Sequence, residues 1–189
     1  NHQAAELTVS EAMRNQIRGL NRASDNIQDG IGLVQVADAA LQETQNILGR
    51  MVELTTQAAN DINTETDRKA IQDEIDQLNQ QIDHIAYESN FNQNYMLAEG
   101  TPQARPGYFY IQTGALAEQS IMINFVNASK ESLGVDAVDV SNYQNASNSI
   151  TLVQNAIEKA ASWRNDFGAV WEKLEHAVKN ADISDLQVV

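Results

Sequence analysis

Three histidines, His2, His84 and His176, are the only imidazoles in the chain. None lies in a His-Glu-x-x-His pattern, which would place two ligands for zinc on one helix face. Neither His84 nor His176 follows a glutamate by three residues, the spacing a di-iron helix bundle uses. Asp76, Asp83 and Glu88 read as a solvated acidic face rather than a metal cluster. There is no glycine-rich phosphate loop and no Gly-x-Ser-x-Gly elbow. With no cysteine, thiolate catalysis, thiolate metal sites and disulfides are excluded. The residues therefore point to no catalytic, cofactor or metal site, and the chain is not expected to be an enzyme. One aromatic group, Tyr108, Phe109 and Tyr110, has rings that would suit sugar stacking. Packing of a hairpin onto the rest of the protein is the favoured reading of the same three residues.

Charge narrows the partners. The 189 residues carry 26 acidic and 12 basic side chains, a formal net charge of −14. Nucleic acid and anionic membrane surfaces would repel such a chain. No apolar run of about 18 residues exists to span a bilayer. No basic-plus-apolar leader is present either, so no cleaved signal peptide is expected. The start, NHQAAELTV without an initiator methionine, reads as the continuation of something removed.

The elements are set by hydrophobic periodicity. From Ser10 to Asn60 there is no proline, and Met13, Ile17, Leu20, Ile27, Ile31, Val34, Leu41, Leu48 and Val52 follow a 4-3-4-3 rhythm. Ser24, Asp38 and Gln45 fill the slots between. One helix of that length is about 75 Å long, which makes the protein a rod. Gly19, Gly30, Gly32 and Gly49 interrupt the pattern, and close approach of a neighbouring helix and plain tolerance of glycine are the two open readings. Thr64-Glu-Thr-Asp67 reads as a capping box opening a second helix, whose seam is Ile71, Ile75, Leu78, Ile82 and Ile85. Tyr108–Thr113 and Ser120–Val126 are rich in aromatic and β-branched residues and predict a hairpin. A third long helix follows, with the seam Ile150, Val153, Ile157, Ala160, Arg164, Phe167, Trp171, Leu174 and Val178. Arg164, its one charged member, is expected to run its stem along the core rather than to pair with an acid.

The predicted fold is thus mainly α. It is an elongated antiparallel bundle of three long helices (about 5–60, 64–88 and 141–180), with a β-hairpin region (about 100–127) packed on the rod. It forms one domain over 1–189, made of a helical segment (1–90), a hairpin segment (91–140), a helix (141–182) and a frayed tail (183–189). Both termini are expected at the same end.

Four stretches together resemble the conserved rod of bacterial flagellin. They are Arg14-Asn-Gln-Ile-Arg-Gly-Leu-Asn-Arg-Ala-Ser-Asp-Asn-Ile-Gln-Asp-Gly30; Ala39-Ala-Leu-Gln-Glu-Thr-Gln-Asn-Ile-Leu48 with Arg50-Met-Val-Glu-Leu-Thr-Thr-Gln-Ala-Ala-Asn60; Phe91-Asn92; and Phe167-Gly168-Ala169 with Leu174-Glu175-His176. Gln93 departs from the family's Phe-Asn-Gly, Glu6 stands where the family commonly has glycine, and Trp163, Phe167 and Trp171-Glu172-Lys173 depart from its usual third-helix residues. The resemblance implies a structural subunit of the extracellular flagellar filament, with other flagellin subunits and the flagellar export apparatus as partners and no cofactor. With the terminal inner-tube helices trimmed, it implies a soluble monomer of weak self-association. It further implies recognition by the host toll-like receptor for flagellin through Arg50, Leu54 and Gln57 on the first helix and Glu74 on the second. Arg50 and Leu54, at i and i+4, share a face, and the same face would serve filament packing. Two other roles are implied by similar chains: a hook–filament junction protein and a flagellin-like cell-surface polysaccharide binder.

Overall fold

The computed structural model describes residues 2–114 and 119–188. Within these, side chains are described from Ser10 to Asn180, leaving out Gln16 and Leu20, so the seam position expected at Leu20 lies outside the described residues. Helix α1 runs His2–Ala58, α2 Glu65–Glu88, α3 Lys130–Leu133 and α4 Tyr143–Val188. Strands β1 (Tyr108–Gln112) and β2 (Ser120–Asn124) pair antiparallel, with Tyr110 opposite Met122 and Ile111 opposite Ile121. Two short 3-10 turns, Pro102–Ala104 and Val135–Ala137, lie in the connections. The mainly helical rod with one hairpin is as the periodicity predicts. Its bounds differ at the ends: α1 begins at His2, and α4 continues to Val188 where a frayed tail was expected. A fourth, four-residue helix stands in the segment between the hairpin and the last long helix. Ser129 caps it, and Gly134 ends it at φ +81°, a left-handed conformation that glycine adopts without strain.

The turn between α1 and α2 is fixed by side chains that satisfy helix-end backbone groups. The Thr64 hydroxyl accepts the Asp67 N–H (3.1 Å) and the Asp67 carboxylate accepts the Thr64 N–H (2.9 Å), which completes the expected capping box. At the other helix end, Asn63 Nδ2 donates to the carbonyls of Gln57 (2.8 Å) and Asn60 (2.7 Å). Arg68 donates from Nη1 to Ala58 O (2.6 Å) and from Nη2 to Asn60 O (3.1 Å). Orphan carbonyls at the end of α1 are thereby paired, and a cation sits where the helix dipole is negative.

α2 and α4 both run antiparallel to α1. Arg50 meets Glu74 across one pair, and Asp38 meets Arg164 across the other. The core falls into two clusters. One buries Leu48, Met51 and Leu54 of α1 with Ile71, Ile75 and Ile82 of α2 and Val153, Ala156 and Ala160 of α4. Leu133, Val135, Val138 and Val140 also lie in it, so this stretch of the connection to α4 packs with the helices. The other buries Ile27, Leu33, Val34 and Leu41 with Leu97, Ile111, Ile123, Phe125, Phe167 and Leu174. Half-buried Trp163 packs on both, and the Lys159 ammonium stands 5.4 Å from its ring centroid.

Three sequence expectations are corrected by this packing. Arg164 does not snorkel: its Nε donates to Asp38 Oδ1 (2.8 Å), Nη2 to Asp38 Oδ2 (3.3 Å) and Nη1 to Gln45 Oε1 (2.8 Å). The pair is only part-buried, so the desolvation penalty that argued against it is small. Of the hairpin aromatics, Phe109 packs inward, but Tyr108 and Tyr110 face solvent and Ile111 and Ile123 anchor the sheet. The α2 seam is broader than the heptad: Ile71, Ile75 and Ile82 are buried as expected, Leu78 and Ile85 pack half-buried at its edge, and Arg68, Asn79 and Ala86 are buried with it. A straight helix of 3.6 residues per turn drifts off a 3.5-residue heptad, and the buried stripe follows the helix.

Close approach explains two of the four α1 glycines. A Cβ on Gly30 would meet Ile111 of the hairpin and Leu174 of α4, and one on Gly32 would stand 2.5 Å from Phe91 Cζ. Only Leu174 belongs to a helix, and at Gly19 and Gly49 the space is open.

Candidate interaction face on the first two helices

The four residues singled out for recognition lie at the junction of α1 and α2. The structure brings two of them together. Arg50 points outward from α1, and its guanidinium grips the Glu74 carboxylate of α2 with two bonds, Nε to Oε1 (3.0 Å) and Nη2 to Oε2 (3.3 Å). A third bond runs from Nη1 to Glu53 Oε2 (3.0 Å). The Glu74 hydrogen bond, then that of Glu53, holds the Arg50 pKa above its ordinary value, so the group stays cationic. Gln57 stands exposed further along α1. Leu54, in contrast, is 2 % exposed and packs in the helical core. It positions the helix that carries Arg50 and offers no surface of its own. What the face presents is a planar, charged fork with two carboxylates, a geometry suited to bidentate polar contact rather than to an apolar anchor.

Two polar clusters lie near this face. Arg68 is 8 % exposed and joins the end of α1 to the segment before α4, its Nη1 also donating to Val140 O (3.4 Å). Asn79 Nδ2 donates to Val135 O (3.0 Å), and Gln72 holds the same linker through the Val138 carbonyl and the Val140 N–H. Sequence reasoning passed over these residues. The available signal was their place in the seam three or four residues from Ile71 and Ile75. Among the described residues no group of histidines and acids is placed to hold a metal ion. No helix among them is long and apolar enough to cross a membrane.

A family model for the bacterial flagellin N-terminal helical region matches residues 1–101, more than half of the chain. The chain belongs to the bacterial flagellin family. The flagellin of Halalkalibacterium halodurans is 36% identical over 181 residues, an alignment that covers 95% of this chain and 65% of that protein. The chain thus spans about two thirds of that relative's length. The crystal structure of Bacillus cereus flagellin superposes with a TM-score of 0.75 at 33% identity, covering 83% of this chain and 88% of the other. A putative flagellar hook-associated protein from Vibrio parahaemolyticus matches with a TM-score of 0.78 over 98% of this chain and 94% of its own. At 13% identity that likeness shows a common fold alone. The relatives are named as flagellins and as flagellar filament core proteins.

Membership in the flagellin family gives the Gln93 departure a physical meaning. Asn92 and Gln93 have φ of +49° and +67°, and Phe91 and Asn94 exchange both backbone hydrogen bonds across them (3.1 and 3.0 Å). This is a two-residue turn with both central residues left-handed, where Asn-Gly is the favoured pair. Glutamine occupies the glycine position at a steric cost. The other departures lie on α4, where Trp163 is half-buried between the two core clusters and Trp171 is exposed.

Proposed function

We propose that the chain is the rod of a structural subunit of the flagellar filament. In this reading it is extracellular, reaches the cell exterior through the flagellar export apparatus and packs against other flagellin subunits. The observation that carries it is the likeness along 95% of the chain to a flagellin, combined with long antiparallel helices whose outer faces are free for side-by-side packing. The test is co-assembly. Fluorescently labelled chain, extended by the segments of Bacillus subtilis flagellin that it does not span and mixed with that flagellin and filament seeds, is expected in the pelleted filaments. Label that stays wholly in the supernatant overturns the reading. Alone in solution the chain is expected to be a monomer of weak self-association, because the net charge of −14 opposes close contact. Sedimentation velocity checks this.

A second reading has its own observation. The exposed Arg50 fork, held by Glu74 and Glu53 beside exposed Gln57, is a pre-formed surface for the host toll-like receptor for flagellin. Binding to the purified receptor ectodomain is expected to weaken about tenfold or more in Arg50→Ala and in Glu74→Ala. Equal affinity in both variants and the parent sinks it. Leu54→Ala is not a clean probe, since that side chain is core.

A further inference from the structure

Among the described residues two buried side-chain oxygens, Thr44 Oγ1 on α1 and Asn79 Oδ1 on α2, have no hydrogen-bond partner. Thr44 is 0% exposed and Asn79 6%. The helix does not force this on a threonine. Thr55, further along α1 and equally buried, donates its hydroxyl to the Met51 carbonyl (2.9 Å) one turn back. Thr44 makes no such bond. Asn79 is oriented by the linker. Its Nδ2 donates to Val135 O (3.0 Å), and since a carbonyl can accept only from the nitrogen, Oδ1 is turned away from that contact.

The two oxygens belong to one level of the rod. Arg50 of α1 bonds Glu74 of α2, and the two helices run antiparallel. Thr44 lies six residues before Arg50 and Asn79 five after Glu74, so their levels differ by one residue's rise, about 1.5 Å. Both are seam positions: Thr44 stands between buried Leu41 and Leu48, and Asn79 between buried Ile75 and Ile82. On the third side, α4 from Ile157 to Arg164 lies alongside α1 from Asp38 to Gln45, and its buried residue there is Ala160. A layer of Thr, Asn and Ala carries less side chain than the leucine and isoleucine layers that enclose it. Its unmet groups, a hydroxyl donor and an amide acceptor, call for a small guest that accepts one hydrogen bond and donates another.

We propose that one internal water molecule occupies this layer, accepting from the Thr44 O–H and donating to Asn79 Oδ1. Water is the smallest molecule with both capacities, and two polar partners meet its minimum for burial. An apolar guest would leave both oxygens unpaired, and an ion would bring a charge that nothing in the layer offsets. Leu41 belongs to the core cluster under the hairpin and Leu48 to the three-helix cluster, so the water marks the boundary between them. There it pins the register of α1 against α2, because a slip of one turn would set each oxygen against leucine or isoleucine. The inference concerns the interior of the rod and stands apart from the filament reading.

A high-resolution crystal structure of the chain is expected to show one water within about 2.7–3.2 Å of both oxygens. In solution, oxygen-17 relaxation dispersion is expected to count one more long-lived water in the parent than in Thr44→Val. Thr44→Ser, which keeps the hydroxyl, should match the parent. Stability reads the same point with a sign. Thr44→Val removes the hydroxyl at nearly constant shape, so the urea midpoint falls if the hydroxyl is bridged and rises if it is unpaired. A rise overturns the proposal. So does a fall with unchanged dispersion, which would mean a direct bond from Thr44 to Asn79 or to the Ala40 carbonyl. The crystal structure needs no variant: if Thr44→Val fails to fold, a direct bond between the two oxygens, or no water between them, still overturns the site.

Discussion

The two halves of the rod bury similar side chains by different means. Towards the α1–α2 turn, three helices share one core, and Ile71, Ile75 and Ile82 of α2 close it. In the other half α2 contributes only its last turn, through Ala86 and Ile85, and the third side is closed mainly by irregular chain and a two-stranded sheet through Leu97, Ile111, Ile123 and Phe125. Two strands alone are marginally stable, so this sheet depends on the helices it covers. α1 adapts accordingly: its glycines Gly30 and Gly32 lie where the hairpin and Phe91 press close, and Gly49 lies in the helical half with open space. A single helix thus meets a helix partner with side chains and a non-helical partner partly with bare backbone.

If the sheet replaces α2 as a structural layer, truncation should cost the same on both sides. Leu54→Ala and Ile111→Ala are each expected to destabilise by about 2–5 kcal/mol in urea unfolding, since both residues are fully enclosed. Tyr110→Ala, on the solvent face of β1, should change little. An Ile111→Ala variant as stable as the parent breaks the equivalence. The glycines sharpen it with opposite signs. Gly32→Ala forces a Cβ onto the Phe91 ring and should cost about 1–3 kcal/mol. Gly49→Ala meets nothing and should gain up to about 1 kcal/mol from helix propensity.

The unequal legibility of the two halves has the same origin. Helical periodicity, the Thr64–Asp67 capping box and the strand composition are local signals, and each was readable in order along the chain. Three things were not. The interruptions Asp38 and Gln45 look like defects in the α1 seam until Arg164, more than 110 positions away, is seen to fill them. Arg68 and Asn79 look like surface residues until the linker carbonyls of Val140 and Val135 arrive. The inward face of β1 was ambiguous because Tyr-Phe-Tyr-Ile could pack on either face, and only the burial of Ile111 and Ile123 against the helices decides it. Of the recognition face, the resemblance implied its four residues, but neither the Arg50–Glu74 pairing nor the burial of Leu54 was readable before the helices were packed together.

Two smaller effects separate the junctions of the halves. Gln93→Gly relieves a left-handed glutamine where the chain leaves α2, with an expected gain of about 1 kcal/mol in thermal or urea unfolding. Loss of stability there would mean that the glutamine side chain, not the turn, matters. At the core junction, a double-mutant cycle of Arg164→Ala and Asp38→Ala should return a coupling of about 0.5–1 kcal/mol, modest because both side chains keep contact with water. A coupling near zero would return Arg164 to the snorkelling reading.

Acid distinguishes the halves by where it acts. The Thr64 backbone N–H, then the Thr64 side chain, holds the Asp67 carboxyl below its ordinary pKa, and the Ser141 backbone N–H does most to lower that of Asp139. Both lie at the α1–α2 end. A carboxyl whose folded pKa is depressed stabilises the fold fully above its unfolded value, about 3.9 for aspartate, and that contribution disappears as pH falls through the lower folded value. Acidification below about pH 4 should therefore release the first turn of α2 and the entry to α4 before it affects the sheet. Amide exchange measured at pH 5 and pH 3, after correction for intrinsic rates, reads this directly. Protection lost at residues 65–68 while 109–111 and 121–123 keep theirs is the expected pattern. Hairpin amides that open first would show that the sheet, for all its buried isoleucines, is the weaker half, and that the capped helix end owes its persistence to packing rather than to its carboxylates.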